Sequence, residues 1–442
     1  MTLTAQLRAR AAAGRPVRVL LVGCGKFATM FLAQLPTTPG IEVGAIVDLL
    51  PERVPERLQR AGWSRERIRR VAIGDDLESL LSRHDWDVVV EATGDPLAGV
   101  RHALAAIARG LHLVMVNVEA DALCGPALAR RARERGCIYS LAWGDQPALV
   151  CDLVDWAESC GFAVVAAGKG TKYLPHYHAS TPETVWEHYG IEPEAARRAG
   201  MNAKMFNSFL DGTKSAIEMA AVANATGLAV PEDGLGFPPA GTAELATVLR
   251  PCEEGGVLAR RGMVEVVSSL RRDGTPIPDD LRWGVYVVVE APCAYSAACF
   301  REYGMITDPS GRFAALWRPY HLIGLELAVS VARVALEGRS TGTPQAWHGD
   351  VVACAKRDLA AGEVLDGEGG RCVWGRLVPA ARAAAEDLLP IGLAHDLRLR
   401  RAIPAGTLLR FSDVEPPPAS EALTLRRELE PAPRPEDPEK RH

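Results

Sequence analysis

Short apolar runs alternate with segments of helical periodicity along the first third of the chain, and this alternation sets the expected fold. Val17–Val22 is apolar throughout, as suits a strand buried on both faces. Further strands are expected at 42–47, 87–92, 112–118 and 137–143, with helical patterns at 29–35, 97–109 and 126–135, the last opening on Pro126. Strand and helix in strict alternation predict an α/β domain with a doubly wound parallel sheet, here spanning 1–160. A second, α+β domain is expected over 161–338. Its elements are a strand at 163–167 opening onto a Gly-Lys-Gly loop, a mostly apolar helix at 208–228, a strand at 284–291 and a long apolar helix at 322–336 that packs back on the first domain. A helix at 147–159 joins the two domains.

After Gly338 the composition shifts, with 340–344 as a linker. Residues 358–366 and 402–410 echo one another around Gly362 and Gly406, which predicts a compact β-rich module with internal pseudo-symmetry at 345–415. Proline and charge dominate beyond Glu415, so 416–442 is expected to be disordered.

The first strand ends in Gly23-Cys24-Gly25-Lys26-Phe27-Ala28, a GxGxxA turn between strand and helix. The first glycine permits the tight turn, the second admits a pyrophosphate, and Ala28 lets the helix pack closely. Asp48, at the end of the second strand, is placed to hold ribose hydroxyls. Arg53 and Arg57 follow and would instead meet a 2'-phosphate, so NAD and NADP both remain open. Thr93-Gly94 and Asn117 close later strands at their carboxyl ends, where open sheets bind ligands.

Composition narrows the function classes. The 442 residues are 48% hydrophobic and 24% charged, with a net charge of -5 and no basic patch, which argues against a nucleic-acid partner. No apolar run reaches membrane length, and ten cysteines without paired spacing read as buried thiols in a reducing, cytoplasmic setting. The expected partner is a small molecule, in a homo-oligomeric assembly. Lysine is the anomaly: only seven stand against forty-three arginines, and Lys169, Lys172, Lys204 and Lys214 fall within 168–214. An ammonium can exchange a proton where a guanidinium cannot.

Tyr173, His176 and His178 follow the first two lysines, and His-x-His leaves a divalent metal open. Asp211, Lys214, Ser215 and Glu218 share one face of the apolar helix expected at 208–228. Arg318 and His321, before the last apolar helix, suit a phosphate or carboxylate.

Four stretches carry a family resemblance: GCGKFATMFLAQ, GKGTKYLPHYHASTPE, NAKMFNSFLDGTKSAIEMAAVANATGL and YGMITDPSGRFAALWRPYHLIGLELAVS. They resemble the homoserine-dehydrogenase-like oxidoreductases with a C-terminal SAF domain, of the deoxyxylulose-5-phosphate reductoisomerase-like type. The tail repeats look like SAF, a small β-clip module. The resemblance implies an NADP-dependent enzyme that rearranges a keto-sugar phosphate and reduces the resulting aldehyde, with Mg or Mn as a possible helper. That chemistry needs a base, electrophilic help at a carbonyl and a proton donor. Lys169, Lys172, Lys204, Asp211 and Lys214 form the candidate polar core, with Lys172 and Lys204 as acid/base and Asp211 orienting a lysine. His176, Asn207, Arg318 and His321 are candidates for substrate contact. Two rivals stand beside this reading: a dehydrogenase or oxidoisomerase of a non-phosphorylated sugar acid, and a non-catalytic nucleotide- or carbohydrate-binding protein.

Overall fold

The computed structural model describes residues 1–83 and 85–430. Helix α1 (Leu3–Ala12) precedes six parallel strands: β1 (Val17–Val22), β2 (Ile41–Val47), β3 (Ala72–Gly74), β4 (Val88–Glu91), β5 (His112–Met115) and β6 (Tyr139–Leu141). Their order, β3-β2-β1-β4-β5-β6, reverses direction between β1 and β4, the point where doubly wound sheets bind dinucleotides. Helices α2 (Lys26–Gln34), α3 (Val54–Arg60), α4 (Arg65–Ile68), α5 (Leu77–Leu81), α6 (Pro96–Ala108), α7 (Val118–Glu134) and α8 (Gln146–Ser159) complete this part of the chain.

The polar residues that end β4, β5 and β6 also start helices. Asp95 accepts from Ala98 N, Asn117 from Ala120 N and Asp145 from Gln146 N, each as an N-cap. Capping therefore fixes the loop residues at one edge of the sheet. Helix α7 begins at Val118, not at Pro126, which sits inside it. The Asn117 cap and the buried apolar positions that follow hold the helix through the proline.

The second sheet is mixed, in the order β10-β11-β9-β7-β8: β7 (Ala163–Thr171), β8 (Met263–Ser268), β9 (Val285–Glu290), β10 (Ile306–Thr307) and β11 (Phe313–Arg318). Strand β7 runs through the Gly-Lys-Gly segment expected to be a loop. A Cβ at Gly168 would collide with Glu265 O, and one at Gly170 with Leu281 O. The glycines let neighbouring backbone close in on β7 while Lys169 points to the opposite face. Between the strands lie α9 (Val185–Tyr189), α10 (Pro193–Arg198), α11 (Ala203–Leu210), α12 (Thr213–Thr226), α13 (Leu245–Val248) and α14 (Ala294–Glu302). The helix expected at 208–228 is thus two, broken at Gly212, whose φ of 92° ends one and starts the next. Helix α12 is buried nearly all round and packs on α7, α8 and β8.

The long helix expected at 322–336 is also broken. Residues 323–327 form turns in which Gly324 (φ 75°) lies where a Cβ would stand 2.6 Å from Phe27 O, and only α15 (Ala328–Ala332) with a wide turn at Arg333–Glu337 is helical. Leu327, Val331, Ala332 and Val334 are buried in the core of the first domain.

The C-terminal module pairs β12 (Gly349–Ala355) with β14 (Val373–Pro379) and β13 (Val364–Asp366) with β15 (His395–Arg398), carries α16 (Ala380–Ala385), and lays β12 and β14 on α12. Its two echoing segments bind each other, Leu359 N to Ile403 O and Ile403 N to Leu359 O. Residues 416–430, expected to be disordered, carry α17 (Glu421–Leu429). Ala422, Leu423 and Leu425 are buried against α6 and α7, and Arg426 pairs with Asp350 at 2.6 Å inside the molecule. The rest of that expectation, 431–442, lies outside the described residues. All ten cysteines are free thiols, but Cys160, Cys252 and Cys293 are exposed where burial was expected. No helix among the described residues is long and apolar enough to cross a membrane.

Asp121 on α7 is fully buried, accepts the Tyr139 hydroxyl at 2.7 Å, and leaves Oδ2 without a partner. Burial pushes its carboxyl up to about 7, with the tyrosine opposing. The folded protein then binds this proton more tightly than the unfolded chain, so the group costs stability as pH rises from about 4 towards 7. Asp121→Asn should remove that cost, gaining on the order of a few kcal/mol over wild type at pH 8 and little at pH 4. Urea unfolding of both proteins at the two pH values measures it.

Candidate active site

The turn after β1 has the form a dinucleotide needs. Gly23 has φ 88°, and a Cβ there would stand 2.8 Å from Ala92 O; Gly25 faces open space. Gly25 caps α2 without a side-chain bond, so N–H groups of the first turn, at Lys26, Phe27 and Ala28, remain available to an anion. Lys26 is exposed, and Ala28 is buried against the sheet. Asp48 is held in place: Oδ2 accepts from Cys24 N (2.8 Å) and from Arg57 (3.1 Å), and Oδ1 from Leu50 N (2.9 Å). Arg57, not Arg53, is the arginine beside Asp48; Arg53 lies exposed next to Glu52. These residues fit a nicotinamide dinucleotide, with Asp48 at its adenosine ribose.

The nicotinamide half of such a cofactor would then extend to the β4–β6 side of the switch point. Thr93 donates its hydroxyl to the buried Glu91 carboxylate at 2.5 Å, and Gly94 turns the chain with φ 81°. Asn117 Nδ2 donates to Asp95 O at 2.8 Å, tying two of the loops together.

Just beyond, charged side chains from separate stretches of the chain converge. Lys214, in the first turn of α12, donates to Glu119 in the first turn of α7 at 2.5 Å. Lys169 on β7 donates to Glu218, one turn along α12, and to Gln146 Oε1 at 3.2 Å, in the first turn of α8. Asp145 caps α8 beside them. A lysine at a helix N-terminus opposes the helix dipole, so local helix stability does not account for Lys214. Burial works against its ammonium, but Glu119 and then Glu218, Asp145 and Glu368 outweigh it and raise its pKa above the ordinary lysine value. Burial, reinforced by Glu218, pushes Asp145 up to about 6, with Lys214 and His321 opposing.

The remaining candidates sit around this cluster in different states. Asp211 is fully buried and pairs with Lys356 of the C-terminal module at 2.7 Å. Lys204 donates to Asp366 O at 2.7 Å and Lys172 to His188 O, so both candidate acid/base lysines are engaged by backbone carbonyls, apart from the carboxylates. Burial, then Arg282, lowers the pKa of Lys172. Asn207 is buried and donates to Gly369 O at 2.9 Å, a structural pin with no free amide for substrate.

His178 Nδ1 donates to Asp211 O at 2.7 Å, its Nε2 accepts from the Tyr173 hydroxyl at 2.9 Å, and its ring stacks on Trp374 at 3.8 Å. Burial keeps it neutral by lowering its pKa. His176 is exposed. The two histidines are thus no metal pair, and no three His, Cys, Asp or Glu side chains among the described residues converge as a metal-ligand set. Arg318 is paired with Glu326 rather than open to an anion. His321 Nδ1 donates to Trp283 O at 2.7 Å, and no helix begins at either residue.

The side chains missed as site residues are Glu119, Asp145, Gln146, Lys356 and Glu368. Three of them stand at the starts of α7 and α8, just after β5 and β6; the other two come from a module far along the chain.

Two stretches of the chain match known protein families. Residues 23–141 match the family described as the NAD-binding domain of homoserine dehydrogenase. This part of the chain is therefore similar to the NAD-binding domain of an oxidoreductase. Residues 144–327 match, more particularly, the catalytic domain of oxidoreductase DRL. Comparison with curated proteins gave no match. Among solved structures, the WlbA dehydrogenase of Bordetella pertussis, in complex with NADH and UDP-GlcNAcA, is 20% identical over 36% of this chain, with a TM-score of 0.28. The match takes in about half (48%) of that protein's length. An aldose-aldose oxidoreductase from Caulobacter crescentus is 12% identical over 75% of this chain and 92% of its own, TM-score 0.40. An amine dehydrogenase from Mycobacterium smegmatis is 12% identical over 72% and 91%, TM-score 0.41. Similarity at this level says nothing of substrate.

Lys356→Met should cost about 3–5 kcal/mol, because it leaves the Asp211 carboxylate buried without its counter-charge. The Lys356→Met/Asp211→Asn double variant should lose clearly less than the two single losses added. Urea unfolding of the three variants measures both effects.

Proposed function

We propose that the protein transfers hydride between a nicotinamide dinucleotide and a carbonyl or hydroxyl carbon of a sugar or sugar acid, with lysine ammoniums managing the oxygen. One observation carries this reading: Lys169 and Lys214, each salt-linked to a carboxylate, bond Gln146 and Glu119 in the first turns of the helices that follow β6 and β5. When bound, the nicotinamide supplies the hydride acceptor or donor. Lys214, held protonated by its carboxylates, donates a hydrogen bond to the substrate oxygen where negative charge develops. Glu119 and Glu218 hold the two ammoniums in position. Asp145, with its carboxyl near neutrality, is matched to take a hydroxyl proton as general base.

A base and an electrophilic ammonium in one site are also what a ketol rearrangement requires. This supports the finer reading implied by the sequence resemblance, reductive isomerisation of a keto-sugar phosphate such as deoxyxylulose 5-phosphate. A specific observation favours the second reading, a non-phosphorylated sugar acid: Arg318, the arginine expected to meet a phosphate, is already neutralised by Glu326. NADP and NAD fit alike, since Arg57 stands beside Asp48. The pseudo-symmetric pairing of the tail repeats supports an SAF-like module, in which 1–160, 161–338 and 345–415 work as three domains of a homo-oligomeric cytoplasmic enzyme.

NADH and NADPH oxidation over a panel of phosphorylated and plain keto-sugars, and reduction of both oxidised cofactors over sugar acids, separates the two readings. Lys214→Met and Lys169→Met should each lower kcat by about 10²–10⁴-fold while NADH still binds. Near-normal turnover in both variants would overturn the assignment.

A further inference from the structure

One of the segments by which the C-terminal module reaches the site is the loop at residues 366–370, and that loop is pinned along its length. Lys204 Nζ donates to Asp366 O at 2.7 Å, Asn207 Nδ2 to Gly369 O at 2.9 Å and Lys356 Nζ to Gly370 O at 2.8 Å. Gly369 has φ 65°, and a Cβ there would run into Lys204 O, so the loop backbone is pressed onto α11. Next to it, Gly375 N donates to Thr213 Oγ1 at 2.8 Å, at the first residue of the helix that carries Lys214. This fastening delivers one carboxyl side chain, Glu368, which accepts the Ser208 hydroxyl and lines a narrow cleft together with Glu119, Ile217 and Asp350.

Lys214 bonds Glu119 from the first part of the chain and feels the charges of Glu218 from the second and of Glu368 from the third, which shares a cleft with Glu119. We propose that Glu368 is a positioning residue for Lys214, its charge state deciding how firmly the ammonium holds its proton. The groups that face Glu368 are Glu119 from α7, Lys214 from α12, and Ser208 and Asp211 from and beside α11, with Asp350 of β12 across the cleft. Burial and Glu119 push its carboxyl up to about 7, while Lys214 and the Ser208 hydroxyl oppose. Ionised, Glu368 adds a second negative charge beside Glu119 and tightens the hold on the Lys214 proton; protonated, it relaxes that hold. The consequence for catalysis rests on reading Lys214 as the group at the substrate oxygen. The link between the two side chains does not.

The chain's seven lysines make the link measurable without a substrate. In the full-length protein labelled with ¹⁵N-lysine, the Nζ signals are followed against pH, and Lys214→Arg assigns the Lys214 signal. The Lys214 shift should show a step with a midpoint near 7. Glu368→Gln should abolish the step near 7, leaving at most the one near 6 from Asp145, while the other lysine signals stay in place, and Ser208→Ala should move the midpoint near 7 upward. If Glu368→Gln fails to fold, Glu368→Asp keeps a titrating group and should show the step at an altered midpoint. A step near 7 that survives in Glu368→Gln, no step near 7 in the wild type, or a folded Glu368→Asp without a step beyond that of Asp145 overturns the proposal. Absence of turnover on every sugar would instead count against the proposed reaction and leave this result standing.

Discussion

A charge taken out of water must find a partner, and in this molecule that requirement holds three stretches of chain together. Glu119, Glu218 and Asp211 are all largely or wholly buried, and each is neutralised by a lysine from another element: Lys214, Lys169 and Lys356. Removing one member of such a pair is costly, whereas the intact pair adds little net stability. Buried ion pairs are therefore an uneconomical way to glue domains, and their concentration just beyond the ends of β5 and β6 argues for chemistry. Helix α12 is the element on which the arrangement turns. It is buried on nearly every side, touches the nucleotide-binding sheet's helices, β8 and the C-terminal strands, and carries Lys214 and Glu218 one turn apart.

The same residues serve fold and site. Asn117 and Asp145 cap α7 and α8, and capping places Glu119 and Gln146 in the first turns, facing α12 and β7. Gly168 and Gly170 let the backbones around β7 close up, which turns Lys169 inward to Glu218. A site assembled from helix starts and a glycine-flanked strand is held by rigid elements rather than by free loops.

Periodicity and turn chemistry made much of this legible. The strands of the first domain, the glycine turn, Asp48 and the lysine anomaly can all be read from local pattern, because each depends on neighbours in sequence. What escaped depends on distant contacts. Lys169 looked like a loop residue because its glycines signal turns, and only the approach of Glu265 O and Leu281 O shows why a strand needs them. Lys172 and Lys204 looked as reactive as Lys169 and Lys214, since sequence does not say whether an ammonium meets a carboxylate or a backbone carbonyl. Lys356 belongs to the same cluster but lies 145 positions from Asp211, beyond the reach of any spacing argument. Helix α17 was hidden by its charge and by the prolines around it; its stability comes from Ala422, Leu423 and Leu425 buried against α6 and α7.

In the proposed function the lysine–carboxylate cluster faces the reacting end of the cofactor. A crystal structure of the protein with bound NADH tests it most directly. The expected arrangement has the adenosine ribose on Asp48, the pyrophosphate over Gly25, and the nicotinamide ring turned to Lys169 and Lys214 with room for one carbonyl group between. A ring directed instead towards Lys172 and His176, or lying on the β2–β3 side of the sheet, would contradict it.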